Sequence, residues 1–125
     1  VIHGDIYPDN ILIAGPPGER ELAGLSDFDH VDHDDPVRDF VKLRWWVFEP
    51  LPDLVDPVLS GYLRAGGDPD AASPVSHRFM AASLLETMAG IPYFTARNTP
   101  HDDQMAADFR RRFERLIDVV GGSPE

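Results

Sequence analysis

The chain has 125 residues, 42% of them hydrophobic, and carries 22 acidic against 11 basic side chains for a formal net charge of −11. That length is the natural size of one domain with a real core. The acidic balance repels phosphate backbones and argues against nucleic acid as a partner, and the lack of cysteine excludes disulfides, thiolate zinc sites and cysteine nucleophiles. No stretch approaches the run of about 20 apolar residues that a bilayer span needs, and no basic-then-apolar leader is present. A cytoplasmic protein without membrane contact is expected.

Chemically loaded residues come at once. His3-Gly4-Asp5 follows only Val1-Ile2, where a longer positioning element is usual, so the sequence reads as cut at its front edge. Residues 10–14 (Asn-Ile-Leu-Ile-Ala) and 21–28 flank Gly15-Pro16-Pro17-Gly18, the pattern of a β-hairpin. Asp35-Pro36 then opens a helix, with Asp35 as cap and Pro36 in the first turn. Along it Val37, Phe40, Val41, Leu43 (or Trp45) and Phe48 recur at mixed three- and four-residue spacing until Glu49-Pro50. A second helix is expected over 52–65, stopped by Gly66-Gly67. Ser73-Pro74 predicts the start of a third, running to about Ala89 and ended by Gly90-Ile91-Pro92. The last begins near His101-Asp102-Asp103, turns Met105, Phe109, Phe113, Leu116, Ile117 and Val120 to one face, and stops at Gly121-Gly122. Trp45, Trp46 and Phe48 read as core, and Arg110, Arg111, Arg112 and Arg115 as a solvated helix face. The expected fold is α+β and mainly helical: a small hairpin followed by about four helices, in one domain over 1–125.

The informative stretch is 1–40. Phosphoryl transfer needs a carboxylate beside the acceptor hydroxyl and hard oxygen ligands holding Mg²⁺ against the phosphates. Asp5 and Asn10 lie five apart, so one can face a hydroxyl and the other a metal. The hairpin then folds the chain back and brings Asp27 beside Asn10. Six residues beyond Asp29 come Asp35-Pro36 and then Asp39.

This arrangement resembles the protein-kinase-like superfamily in the form of the aminoglycoside phosphotransferases. Their catalytic loop reads His-Gly-Asp, four residues, Asn. Their metal motif is an Asp-Phe or Asp-Trp pair, followed by Gly-Asp-Pro-x-x-Asp-Leu-Ala. The corresponding segments are 3–10, Asp27-Phe28-Asp29 and 34–41, and Leu59 to Gly67 looks like a helix ending of the same family. At average composition the first motif arises by chance roughly once in 10⁵ positions.

The resemblance implies a kinase-like C-terminal lobe whose nucleotide-binding N-terminal lobe is missing, with motifs in 1–40 and a helical substrate side in 41–125. It implies Asp5 as catalytic base with His3 bracing its loop, Asn10 and Asp27 on Mg²⁺, and Asp35 and Asp39 supporting the site. ATP is the implied co-substrate and a small-molecule hydroxyl the acceptor. The acidic run 29–35 favours a cationic acceptor, as in antibiotic resistance by aminoglycoside phosphorylation. Asp29 and Asp34 depart from the family pattern, each standing where relatives have Gly; Asp29 is either a further metal ligand or a solvated loop residue.

No glycine-rich phosphate loop and no strand Lys with a helix Glu partner is found, so this chain alone is expected not to turn over and to expose apolar surface prone to self-association. Two alternatives stand beside this reading: a catalytically silent truncated domain, and a metallohydrolase built on His30, Asp32, His33, Asp34 and Asp35 with His3 and Asp5.

Overall fold

The computed structural model describes residues 1–122. A single 3₁₀ turn, Pro8–Asn10, leads into strand β1 (Ile11–Ala14), which pairs antiparallel with β2 (Glu21–Leu25). The register matches Ile11 with Leu25 and Ala14 with Glu21, with an irregularity between Leu12 and Ile13. Gly15 and Gly18 supply the positive φ values, 99° and 92°, that let the two prolines sit in so short a connection. Leu12, Ile13 and Leu22 remain exposed on this hairpin.

Helix α1 (Val37–Leu43) continues as a π-helical turn over Arg44–Phe48, where Glu49 N–H reaches Arg44 C=O at 2.9 Å. The extra residue in that turn rotates the apolar face, which is why the hydrophobic spacing is mixed. Val37, Phe40, Val41, Leu43, Trp45, Val47 and Phe48 are all buried. At about 1.5–3 kcal/mol for each fully buried large apolar side chain, this helix supplies much of the local stability.

A 3₁₀ turn (Pro52–Leu54) leads into α2 (Val55–Arg64), whose Tyr62 ring meets Phe40 edge-on at 4.8 Å. Gly66 closes α2 at φ 85°. Gly66 N–H bonds Leu63 C=O and Gly67 N–H bonds Tyr62 C=O, both at 3.0 Å, which is the Schellman ending that the Gly-Gly pair predicts. A short helix α3 (Pro69–Ala72), absent from the sequence expectation, follows; the Asp68 side chain accepts Asp70 N–H at its start.

The third expected helix differs at both ends. Helix α4 spans His77–Arg97. It is capped by Ser76, whose Oγ accepts Phe79 N–H at 3.1 Å, and Ser73-Pro74 lies ahead of it in the connection. Neither Gly90 nor Pro92 stops it. A Cβ on Gly90 would run into the Phe109 ring, so this glycine serves a close helix approach. Beyond Pro92, Phe94 packs on Phe109 with ring centroids 5.4 Å apart, and Arg97 lies 3.3 Å from Asp102. Those contacts offset the cost of an internal proline.

Helix α5 (Pro100–Gly121) begins with Thr99 as cap, accepting Asp102 N–H, and ends at Gly122. Its buried positions are Asp102, Ala106, Phe109 and Arg112. This corrects the expected face, because Ile117 and Val120 are exposed. Arg112 is not solvated as expected; its stem is buried and its Nε holds Asp108 at 2.7 Å.

The chain divides into two compact units, Val1–Phe79 and Met80 onward. Among the described residues no helix is long and apolar enough to cross a membrane. The first unit contains the hairpin, α1 to α3 and every candidate site residue.

Candidate active site

The site grows from the segment His3 to Asn10. Ile2 pairs with Asp32 through a β-bridge, which anchors the segment beside the loop that follows β2. Gly4 turns the chain at φ 79°, and His30 crowds the place a Cβ would occupy, so only glycine fits here.

His3 is buried and makes two bonds with opposite ends of its ring. Nε2 donates to Ser26 C=O at 2.9 Å, and Nδ1 accepts Asp5 N–H at 3.3 Å. Together these fix the tautomer with its proton on Nε2. The Phe28 ring covers the imidazole at 4.8 Å. His3 is therefore tied between the loop bearing Asp5 and the segment bearing Asp27, in the position of a brace.

Asp39, on the first turns of α1, receives the loop's backbone. Its Oδ2 accepts His3 N–H at 3.1 Å and its Oδ1 accepts Gly4 N–H at 2.8 Å. Asp35 caps the same helix, with Oδ1 accepting Val37 N–H at 3.0 Å. The Arg78 guanidinium beside it, and then that N–H, hold the Asp35 carboxyl below the usual carboxylate range. Both residues act on the scaffold of the loop.

Asn10 stands at the mouth of the hairpin. Its Nδ2 donates to Asp5 C=O at 3.0 Å and lies 3.4 Å from Asp5 Oδ2. This turns the amide nitrogen of Asn10 toward Asp5. Asn10 C=O accepts Ser26 N–H at 2.9 Å, so Asp27 follows directly after the contact that closes the hairpin. Asp27 is exposed and sits at φ 60°, a left-handed conformation uncommon for a residue other than glycine. Asp29 is exposed in the turn beyond it, where Val31 N–H bonds Phe28 C=O.

Two charged neighbours of these residues escape the sequence reading. Lys42 Nζ lies 2.6 Å from Asp5 Oδ1. Arg78 grips Asp35, Asp68 and Asp70. The available signal for Lys42 was its place three residues after Asp39 on one helix face; for Arg78 there was none, since its partners lie 43, 10 and 8 residues away.

The rival metal cage does not assemble. His30 and His33 are exposed, and among the described residues no group of three or more His, Asp or Glu side chains could hold a metal ion. Mg²⁺ usually takes only one or two protein ligands, and an amide oxygen with one carboxylate suits it.

No curated protein and no solved structure matches the chain. The model of the phosphotransferase enzyme family matches residues 1–75, the stretch holding the loop, the hairpin and α1 to α3. With that match over more than half its length, the chain belongs to the phosphotransferase enzyme family.

Proposed function

We propose that this chain carries the acceptor-activating and metal-binding side of an ATP-dependent transfer of phosphate to a small-molecule hydroxyl. The observation that carries the reading is the double engagement of Asn10: its amide bonds Asp5, while its carbonyl closes the hairpin one residue before Asp27. One residue thus links the candidate base with the candidate metal motif.

In this reading Asp5 accepts a hydrogen bond from the acceptor hydroxyl and takes its proton as that oxygen forms a bond to the γ-phosphorus of ATP. The bond between that phosphorus and the bridging oxygen breaks, and ADP leaves with its electron pair. Asn10 and Asp27, with Asp29 as a further candidate, are the residues that would hold Mg²⁺, which supplies charge neutralisation on the phosphates when bound. His3 and Asp39 keep the loop in register, so the proton acceptor is in place before the substrates arrive. The acidic run 29–35 supports a cationic acceptor such as an aminoglycoside.

Titration with Mg²⁺ followed by amide NMR tests the site. Shifts confined to residues 3–10 and 26–29, and lost in Asp27→Ala, support it; shifts elsewhere, or unchanged in that variant, sink it. One observation favours the further reading that these 125 residues alone are catalytically silent. Their single lysine is engaged with Asp5 and is not available to the β- and γ-phosphates. ATP-dependent phosphorylation of an aminoglycoside by this chain, abolished in Asp5→Ala, would overturn silence and uphold the site.

A further inference from the structure

We propose that Lys42 is the positioning residue of the Asp5 carboxylate, fixing one oxygen so that the other faces the acceptor; this rests on the phosphotransferase reading above. Lys42 Nζ sits 2.6 Å from Asp5 Oδ1 across 37 residues of sequence. The two side chains are 24% and 25% exposed, so the pair is more shielded than an ordinary surface bridge.

Helix α1 holds the catalytic segment at two levels. Asp39 takes the backbone N–H groups of His3 and Gly4, and Lys42, three residues on and on the same face, takes the Asp5 side chain. Backbone and functional group are thereby set by one rigid element, the arrangement that preorganised sites require.

The two oxygens of Asp5 are not equivalent. Oδ1 carries the short charge-assisted bond from Lys42, whereas Oδ2, among the described residues, meets the Asn10 amide at 3.4 Å, a long and weak contact. Oδ2 is the oxygen that exchanges its contact for an acceptor hydroxyl at least cost. The ammonium also offsets the Asp5 charge where an anionic phosphoryl group must approach. Methionine at this place would keep the length of the side chain and lose both effects.

The test needs neither turnover nor metal. Three-bond couplings in the 125-residue chain read the χ1 distribution of Asp5. The wild type is expected to hold one rotamer, Lys42→Met to lose it to averaging, and Lys42→Arg to restore it, while the melting temperature and the backbone shifts of α1 stay near wild type. Because Lys42 is the only lysine, a zero-length carbodiimide cross-link on the wild type gives a second readout. It is expected to join Lys42 to Asp5, which also decides the matter if Lys42→Met fails to fold. An Asp5 rotamer unchanged in Lys42→Met, or a lysine cross-link to another carboxylate, overturns the proposal. A failed Mg²⁺ titration would instead remove the phosphotransferase reading and leave the Asp5 rotamer result untouched.

Discussion

Arg78 holds the Asp35 carboxylate with two bonds, Nε to Oδ2 at 2.9 Å and Nη2 to Oδ1 at 2.7 Å. Its Nη1 takes Asp68 at 2.5 Å and Asp70 at 3.2 Å. Asp35 caps α1 and Asp68 caps α3, so one guanidinium fastens two helix starts to the beginning of α4. Arg78→Ala is expected to lower the melting temperature by a few degrees, more than loss of an isolated surface pair does. Arg78→Lys should recover only part of it, because an ammonium cannot fork across a carboxylate. Asp35→Ala removes a helix cap as well, a further loss of about 1 kcal/mol. Calorimetry of the three variants checks the order.

The same cluster sets an acid limit. Arg78, followed by a backbone N–H in each case, holds the carboxyls of Asp35 and Asp68 below their ordinary value of 3.8. A carboxyl whose value is depressed in the folded state contributes stability that is complete above the unfolded value and is lost as pH falls through the folded one. The melting temperature is therefore expected to fall on acidification below the ordinary carboxylate value. Scans from about pH 5 down to about pH 2 should show a shallower fall in Arg78→Ala. An equal slope in both proteins would refute the role of this cluster.

Asp39 presents a third case, in which the readout is local. Each of its oxygens accepts one backbone N–H, from His3 or Gly4, and bonds to charged groups contribute about 1.5–3 kcal/mol each. Asp39→Ala should destabilise the first unit by about 2–3 kcal/mol, since water replaces part of what is lost. Hydrogen exchange should accelerate at the His3 and Gly4 amides well beyond the change at Val41 in the middle of α1. Asp39→Asn, which keeps one acceptor oxygen, should fall between.

What the sequence reveals about this fold is what neighbouring residues decide. The Gly-Pro-Pro-Gly turn, the paired glycines after Arg64 and the cap at Asp35 each act within a few residues, and each appears where the pattern places it. Of the candidate site residues, His3, Asp5 and Asn10 share one hydrogen-bonded segment, and Asp27 follows Ser26, which bonds both His3 and Asn10. Lys42 and Arg78 were hidden because their partners are distant in sequence; the spacing of Lys42 from Asp39 marks a shared helix face but not the partner on it, and Arg78 has no local signature at all. Gly90-Ile91-Pro92 misled for the complementary reason. Its local preference is to stop a helix, and packing around Phe109 overrules it.

That override yields the sharpest contrast in sign. Glycine inside a helix costs about 1 kcal/mol relative to alanine, so Gly→Ala there should stabilise wherever space allows. At Gly121 none of the described residues lies within 4 Å of the added Cβ, and alanine is expected to be neutral or stabilising. At Gly90 the Cβ would meet Phe109, a buried ring already packed against Phe94. Overpacking of that kind costs about 1–3 kcal/mol, which outweighs the helix gain. Gly90→Ala should therefore lower the melting temperature where Gly121→Ala does not. In the double variant with Phe109→Leu the added penalty of Gly90→Ala should shrink, because the shorter side chain makes room for the methyl group. Calorimetry of the four proteins gives the coupling directly; a penalty at Gly90 that is the same with Phe109 and with leucine would mean that the ring is not what the glycine accommodates.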